Sequence, residues 1–200
     1  MLPGLIDCHT HLCLDASEGE AMASMAKEPY GVTLLRAARN ARTALRAGVT
    51  TVRELGSRQR IDILLRDAIE SGLAEGPRIL ACGLPLAITG GHGYRFGREA
   101  DSIDEFRKAA REQLKAGADV LKVMSSGAAM AIAGGRGSQV QIGDEIEAVV
   151  VEGRRTGRRV ASHAQGAESV AASARAGVAS VELAVLAEEE GLQARKARWS

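Results

Sequence analysis

The stretch "KAGADVLKVM" (residues 115–124) contains the pattern from which the fold of this chain is predicted. Its glycine follows a helical segment, and the apolar residues Val120, Leu121 and Val123 come soon after that glycine. Glycine readily adopts the left-handed conformation that ends a helix. A short apolar run with β-branched residues is typical of a buried strand. The stretch therefore predicts a helix, a tight turn and a buried strand.

The same arrangement occurs twice more, as "RAGVTTV" (residues 46–52) and "RAGVASV" (residues 175–181). Apolar patterning predicts further strands over residues 5–11, 78–83 and 159–164, and helices over residues 32–47, 61–71, 103–116, 145–156 and 167–176. Regular alternation of strands and helices predicts an α/β fold with a parallel sheet and helices outside. About six βα units fit an incomplete TIM-like barrel better than a doubly wound sheet. A doubly wound nucleotide-binding domain is disfavoured because no Gly-x-Gly-x-x-Gly turn follows the first strand.

The composition predicts one globular domain over residues 1–200 and disfavours several classes of partner. The 26 Lys and Arg residues nearly balance the 25 Asp and Glu residues, and aromatic residues make up 2% of the chain, so nothing supports nucleic-acid binding. No apolar run is long enough to span a membrane. Three cysteines and the lack of a signal-peptide pattern lead us to expect a cytoplasmic protein.

Four polar residues at strand ends are candidates for a metal site. His9 and His11 in "LPGLIDCHTHL" are two positions apart, so in a strand both point to one face, about 6–7 Å apart, and can share a metal ion. Lys122 and His163 lie on other predicted strands, towards the ends where barrel enzymes place their chemistry. A lysine in an apolar strand is costly unless it is neutralised, paired or modified. Taken singly, each has an ordinary interpretation: a polar strand end, a surface lysine on an edge strand, or a satisfied core histidine.

Six blocks of the sequence, taken in order, resemble the amidohydrolase superfamily of metal-dependent hydrolases. The resemblance is closest to the branch with imidazolonepropionase-like enzymes and prolidase-like dipeptidases. The blocks are "LPGLIDCHTHL", "GVTTVRELG", "GPRILACG", "ITGGHG", "EQLKAGADVLKVMSSG" and "VASHAQGAESV". They run through most of the chain, which makes the resemblance far more specific than a lone His-x-His motif.

The resemblance implies a role for each of the four residues. His9 and His11 would bind a first divalent metal, His163 would bind a second, and Lys122, carboxylated by carbon dioxide, would bridge the two. An alternative is a single metal held by the three histidines, with Lys122 unmodified. Zinc is the expected ion for imidazole and carboxylate ligands, with manganese, iron and cobalt also compatible. The implied reaction is hydrolysis of a C–N bond in a small-molecule amide, dipeptide or cyclic amide by metal-activated water.

Three loop regions supply further candidates. The family's loop corresponding to "ITGGHGY" approaches the substrate, so His92 is expected to act in catalysis by holding a carbonyl oxygen or a substrate carboxylate. An exposed histidine on a Gly-rich turn is the alternative. The stretch "SSGAAMAIAGGRG" is expected to form a lid, with Arg136 able to meet an anionic group. Arg53 and Glu54 are expected either to line the barrel mouth or to form a surface ion pair.

The sequence departs from the family pattern at its sixth strand. The family usually reads like "SIEHG" there, with a second histidine, whereas this chain reads "SVELA" with Leu183 at that position. The family's last strands, with their aspartate, and its flanking β-sandwich have no counterpart, so we expect a second copy or a complementing chain to cover the open barrel. Two hypotheses remain: an impaired metal-dependent hydrolase, or an inactive remnant that only binds metal or a partner subunit.

Overall fold

The computed structural model describes residues 2–15, 25, 27–127 and 140–199. The strands are β1 (Leu5–Thr10), β2 (Val49–Glu54), β3 (Arg78–Ala81), β4 (Leu86–Ala87), β5 (Arg98–Glu99), β6 (Val120–Met124), β7 (Arg159–Ala164) and β8 (Ser180–Leu183). The α-helices are α1 (Tyr30–Arg46), α2 (Ile61–Glu70), α3 (Ile103–Lys115), α4 (Gly143–Arg155), α5 (Ala167–Ala176) and α6 (Glu189–Trp199), and a 3-10 turn (Arg58–Arg60) precedes α2. None of the helices in the described ranges combines the length and the apolar character that crossing a bilayer requires.

The strands form two parallel sheets that meet edge to edge. One sheet has the order β1-β2-β3 and the other the order β5-β4-β6-β7-β8. The backbone N–H of Asp119, just before β6, donates to the carbonyl oxygen of Ala81 in β3 at 2.7 Å. The carboxylate of Asp119 in turn accepts from the N–H of Ala81 at 3.1 Å. Strands β1, β2, β3, β6, β7 and β8 therefore follow one another as six βα units, as the sequence predicts.

The helices pack on one face of these strands, and the opposite face forms the barrel interior. Ile79 of β3 belongs to a core cluster with residues of α1 and α2. Leu121 and Val123 of β6 pack with residues of α3 and α4. Because side chains alternate along a strand, Val120 and Lys122 face the other way, and Val120 lies in a separate buried cluster with residues of neighbouring strands.

An irregularity in β1 sets the direction of its last residues. Asp7 is paired with Val52 and Thr10 with Glu54, so Cys8 and His9 together stand opposite the single residue between Val52 and Glu54. One extra residue of this kind is a β-bulge, which changes the face to which the following side chains point. The Thr10 hydroxyl accordingly donates to the Glu54 carboxylate at 2.7 Å. His9 and His11, on either side of Thr10, turn towards the interior.

The β1 end of the arc leaves apolar residues open to solvent. Leu5 is 62% exposed and Ile6 is 67% exposed, although both lie in a strand. Next to Ile6 is an open cavity of about 390 Å³ that includes Leu80 and Val120 among its lining residues. This lies at the amino-terminal end of the strands, opposite to the end where His163 is found.

Candidate active site

The carboxyl-terminal ends of β1, β6 and β7 bring the four predicted ligand residues to one region of the interior. The rings of His9 and His11 are 5.3 Å apart, centre to centre. On the neighbouring strands, Lys122 is paired with Ala161 and His163 with Met124, so Lys122 and His163 are two register positions apart on adjacent strands. Pairing in parallel register places both side chains on the interior face.

His92 joins this group from the loop that follows β4. Its ring centre is 4.5 Å from that of His163, and the residue is 8% exposed. Its Nδ1 atom is buried and has no hydrogen-bond partner among the residues that the structure describes. The alternative of an exposed histidine on a Gly-rich turn is therefore wrong, and His92 lies beside a candidate ligand.

Lys122 is a buried amine without a partner. The residue is 1% exposed, and within the described ranges its Nζ atom has no hydrogen-bond acceptor. Burial lowers the pKa of Lys122 to about 8, against the opposing influence of Glu182 and Cys82. The alternative of a surface lysine on an edge strand is wrong. An amine in this state has a substantial neutral fraction near physiological pH, which is the nucleophilic form.

The buried histidines of the group are neutral at physiological pH. Burial, with the nearby charge of Lys122 as a further cause, lowers the pKa of His11 and of His92 to about 4. Burial lowers the pKa of His163 to about 2, and the positive charges of His92 and Lys122 add to this effect. Neutral imidazole is the form that binds metal ions.

Hydrogen bonds set the orientation of the His-x-His pair. His11 Nδ1 lies 2.9 Å from the carbonyl oxygen of Gly56, and His9 Nδ1 lies 3.1 Å from Oε2 of Glu182. A carbonyl or an ionised carboxylate can only accept, so in each ring Nδ1 must carry the proton. A neutral ring with its proton on Nδ1 presents an unprotonated Nε2. This is the arrangement of metal-binding histidines, whose other nitrogen donates to a carboxylate or a carbonyl.

The chemistry of the residues in this region is compatible with a metal ion, although the described side chains do not form a complete ligand cluster. Among the described residues, no group of three or more His, Cys, Asp and Glu side chains is positioned to hold a metal ion. Lysine is outside that set of side chains, and Lys122 lies close enough to His11, His92 and His163 for its charge to lower their pKa values. The atoms Lys122 Nζ, His92 Nδ1 and His163 Nε2 are all buried, and none has a hydrogen-bond partner in the part of the chain that the structure describes. Since buried polar atoms almost always have partners, three such atoms around one interior region indicate a place for a ligand or metal.

Two residues at the end of β2, Arg53 and Glu54, contact different partners. Arg53 crosses the interior and contacts Glu182 of β8, with Nη2 2.7 Å from Oε1. Glu54 is fully buried and accepts from the backbone N–H of Leu12 at 2.9 Å. They do not form a surface ion pair with each other: Arg53 reaches the site, and Glu54 fastens the segment that contains His11.

Glu182 is the site residue that the sequence reasoning missed. It is 7% exposed, and it contacts both His9 and Arg53. The sequence does contain an indication of this role: in "SVELA", a charged residue lies between the apolar residues Val181 and Leu183 of a short strand. The same cost of burial that singles out Lys122 applies to a glutamate at such a position.

The departures from the family pattern fall partly within the described chain. Leu183 ends β8, is 52% exposed and has a φ of 76°, and Ala184 follows with a φ of 48°. The side chain of Leu183 cannot bind a metal ion, as expected for leucine. Arg136 and residues 128–139 of the predicted lid lie outside the described residues.

Comparisons with known proteins agree on one family. The model of the amidohydrolase family matches residues 1–193. The chain is 29% identical over 216 residues to ochratoxinase of Aspergillus niger, covering 95% of this chain and 44% of that protein. The crystal structure of an amidohydrolase superimposes with a TM-score of 0.88 at 33% identity, covering 98% of this chain and 51% of the other. A Xaa-Pro dipeptidase with bound methionine in its active site gives a TM-score of 0.88 at 29% identity, covering 99% and 52%. The chain thus spans about half the length of these relatives.

Proposed function

Because this chain belongs to the amidohydrolase family, we propose that it is a metal-dependent hydrolase of amide-type carbon–nitrogen bonds. The observation that carries the proposal is the state of Lys122, a buried amine with no hydrogen-bond partner among the described residues, close to the neutral His11 and His163. Such an amine is costly in a structure unless a further group occupies the region.

In the proposed site, His9 and His11 would hold a first divalent ion and His163 would hold a second. The neutral amine of Lys122 would attack carbon dioxide, forming an N–C bond and releasing a proton to solvent, and the anionic carbamate would supply further oxygen ligands. The lowered pKa of Lys122 supports this step because only the neutral amine is nucleophilic. Zinc is the expected ion, since the ligands are imidazole nitrogens and carboxylate-type oxygens.

The chemistry that a divalent metal supplies when bound is activation of water and polarisation of the scissile carbonyl group. The residues of the chain would bind the substrate and exclude water. His92, neutral and next to His163, would donate a hydrogen bond to a substrate carbonyl oxygen or carboxylate. The buried strands β6 and β7 exclude bulk water from the amine of Lys122. The dipeptidase among the relatives directs the first screen to Xaa-Pro dipeptides, followed by cyclic amides.

A second candidate function is binding of metal, or of a complementing subunit, without hydrolysis. Leu183 favours it: at the strand end where the family resemblance places a ligand, this chain has a half-exposed apolar side chain. In that case the ions would be held by fewer groups than catalysis requires.

The first experiment is elemental analysis of the purified 200-residue protein, compared with the double variant His9→Ala/His11→Ala. We expect about one or two zinc ions per wild-type chain and at least a tenfold lower content in the double variant. The control is Cys8→Ser, because Cys8 is an exposed thiol that could retain zinc adventitiously; its metal content should match wild type. Wild-type protein that stays free of metal after reconstitution with zinc or manganese would contradict both candidates as metal proteins. Turnover of a Xaa-Pro dipeptide or a cyclic amide by the loaded protein would distinguish the hydrolase from the non-catalytic candidate.

A further inference from the structure

A connected polar network crosses the interior between β2, β8 and β1. Arg53 donates from Nη2 to Oε1 of Glu182 at 2.7 Å and from Nη1 to the hydroxyl of Ser180 at 2.9 Å. Its Nε donates to the carbonyl oxygen of Cys8, inside the β1 bulge, at 2.7 Å. Ser180 also donates to Oε1 of Glu182 at 2.6 Å. Arg53 therefore fixes both the carboxylate of Glu182 and the backbone next to His9.

The carboxylate of Glu182 has little capacity left for a metal ion. Oε1 accepts from Arg53 and Ser180, and Oε2 lies 3.1 Å from His9 Nδ1. The group is thus an acceptor whose oxygens are engaged by donors. This favours an indirect role over direct ligation.

We propose that Glu182 is a positioning residue that fixes the proton of His9 on Nδ1 and so keeps Nε2 of His9 available as a metal ligand, with Arg53 holding Glu182 in place. The proposal rests on the proposed function of His9. It gives the two histidines equivalent supports: a backbone carbonyl, that of Gly56, for His11 and a side-chain carboxylate for His9. The position of the ring proton of a metal-binding histidine is set by the hydrogen bond of its other nitrogen.

The test compares Glu182→Ala with Glu152→Ala. Glu152 is a matched control because it is also a buried glutamate, 4% exposed, and pairs with arginines, including Arg111 at 3.0 Å, but it lies in α4 away from the histidines. The first readout is long-range ¹H–¹⁵N correlation NMR of the metal-free protein. The chain has four histidines, so single His→Asn variants assign the signals. The second readout is the dissociation constant for zinc, measured by competition with a chelator.

We expect the proton of His9 to lie on Nδ1 in the wild type and in E152A, and to move largely to Nε2 in E182A. The zinc dissociation constant should rise about 10–100-fold in E182A and change less than about threefold in E152A. Retention of the proton on Nδ1 of His9 in folded E182A, or unchanged zinc affinity in that variant, would overturn the proposal.

Glu182→Gln is the second variant, for the case in which E182A does not fold. Glutamine keeps the size of the side chain but has only one oxygen, and Arg53 and Ser180 both donate to that position. Its NH2 group would then face Nδ1 of His9 and disfavour a proton there, so we expect a zinc dissociation constant about tenfold higher than in the wild type. An unchanged constant in E182Q would contradict the positioning role. Failure of the wild type to bind zinc would overturn the proposed function, whereas the NMR comparison, made without metal, would still decide whether Glu182 sets the proton position of His9.

Discussion

Asp62 is a buried carboxylate that joins the loops after β2 and β3. Its Oδ1 accepts from the Ser57 hydroxyl at 2.6 Å, and its Oδ2 accepts from the backbone N–H of Gly83 at 2.6 Å. Burial raises the pKa of Asp62 to about 6, and these hydrogen bonds oppose the shift without cancelling it. The folded protein therefore binds a proton at Asp62 more tightly than the unfolded chain does.

This shift predicts that Asp62 makes the protein less stable as the pH rises from about 4 to about 6. Across that window the folded state holds the proton and the unfolded state has lost it, so the free energy of unfolding falls with rising pH. The loss amounts to about 2–3 kcal/mol at pH 7, from the difference between a pKa of about 6 and the ordinary value. Asp62→Asn, which keeps an acceptor for Gly83 and a polar partner for Ser57, should remove it.

The measurement is urea unfolding of wild type and D62N at pH 4, 5, 6 and 7. The difference between the two proteins isolates Asp62 from other titrating groups. The free energy of unfolding of D62N should increase relative to that of the wild type as the pH rises. The exposed Asp104 supplies a control, since the free energy of unfolding of Asp104→Asn should change with pH in the same way as that of the wild type. A constant difference between D62N and wild type over the whole range would contradict the interpretation.

At this scale, the sequence indicates the residues whose burial is unusual, but it does not show which distant residues pair with each other. Lys122 and His163 stand out because each interrupts an apolar strand, which is a local signal. Arg53 and Glu182 are 129 positions apart in the chain. Their pairing depends on how β2 and β8 face each other across the interior, and neither local sequence contains that information.

Helix α4 contains a glycine that the fold requires. A Cβ atom at Gly153 would lie 2.7 Å from the carbonyl oxygen of Arg158, which is backbone and cannot move easily. The turn after α4 folds back at this point, with the N–H of Arg158 donating to the carbonyl oxygen of Gly153 at 2.8 Å. By contrast, a Cβ atom at Gly31 in α1 would have nothing within 4 Å.

Gly→Ala substitutions at these two helix positions should have opposite effects. Helix propensity alone predicts that alanine stabilises both, by up to about 1 kcal/mol. At Gly31 we expect a gain of a few tenths to 1 kcal/mol, whereas at Gly153 the backbone clash should reverse the sign and cost about 1–3 kcal/mol. Thermal unfolding followed by circular dichroism measures both changes. Stabilisation by Gly153→Ala would show that the turn after α4 relaxes without penalty.

The sequence predicts the helices and longer strands to within a few residues because their apolar periodicity extends over several positions. It does not predict β4 or β5, which have two residues each, too few for any periodicity. It also does not predict the bulge in β1. The residues of β1 alone are compatible with regular alternation, and the bulge becomes visible only from the pairing of β1 with β2.

For the molecule as a whole, the exposed end of the arc at β1 is the main liability. Ile6 is 67% exposed and lies beside the cavity that includes Leu80 and Val120. An exposed strand with apolar side chains and free backbone groups is a template for pairing with another chain.

We therefore expect the isolated 200-residue protein to self-associate through this edge, and Ile6→Thr to weaken the association at least tenfold. Threonine retains strand propensity, and because Ile6 is mostly exposed the free energy of unfolding should change by less than about 1 kcal/mol. Sedimentation velocity over a range of concentrations measures the association. Leu73→Thr is the control, since Leu73 is 86% exposed but lies outside the strands. A wild-type protein that stays monomeric at all concentrations, or an equal effect of L73T, would contradict the role of β1.

The bulge in β1 has a consequence for reading related genes. Cys8 and His9 share one position of the ladder, so loss of the Cys8 codon would leave His9 opposite Arg53 and Thr10 opposite Glu54. Both histidines would then still face the interior, because alternation from Asp7 onwards would be regular. Loss of the His9 codon would instead remove a proposed ligand. In an alignment of related genes, a gap at Cys8 is therefore compatible with the proposed chemistry, whereas a gap at His9 is not.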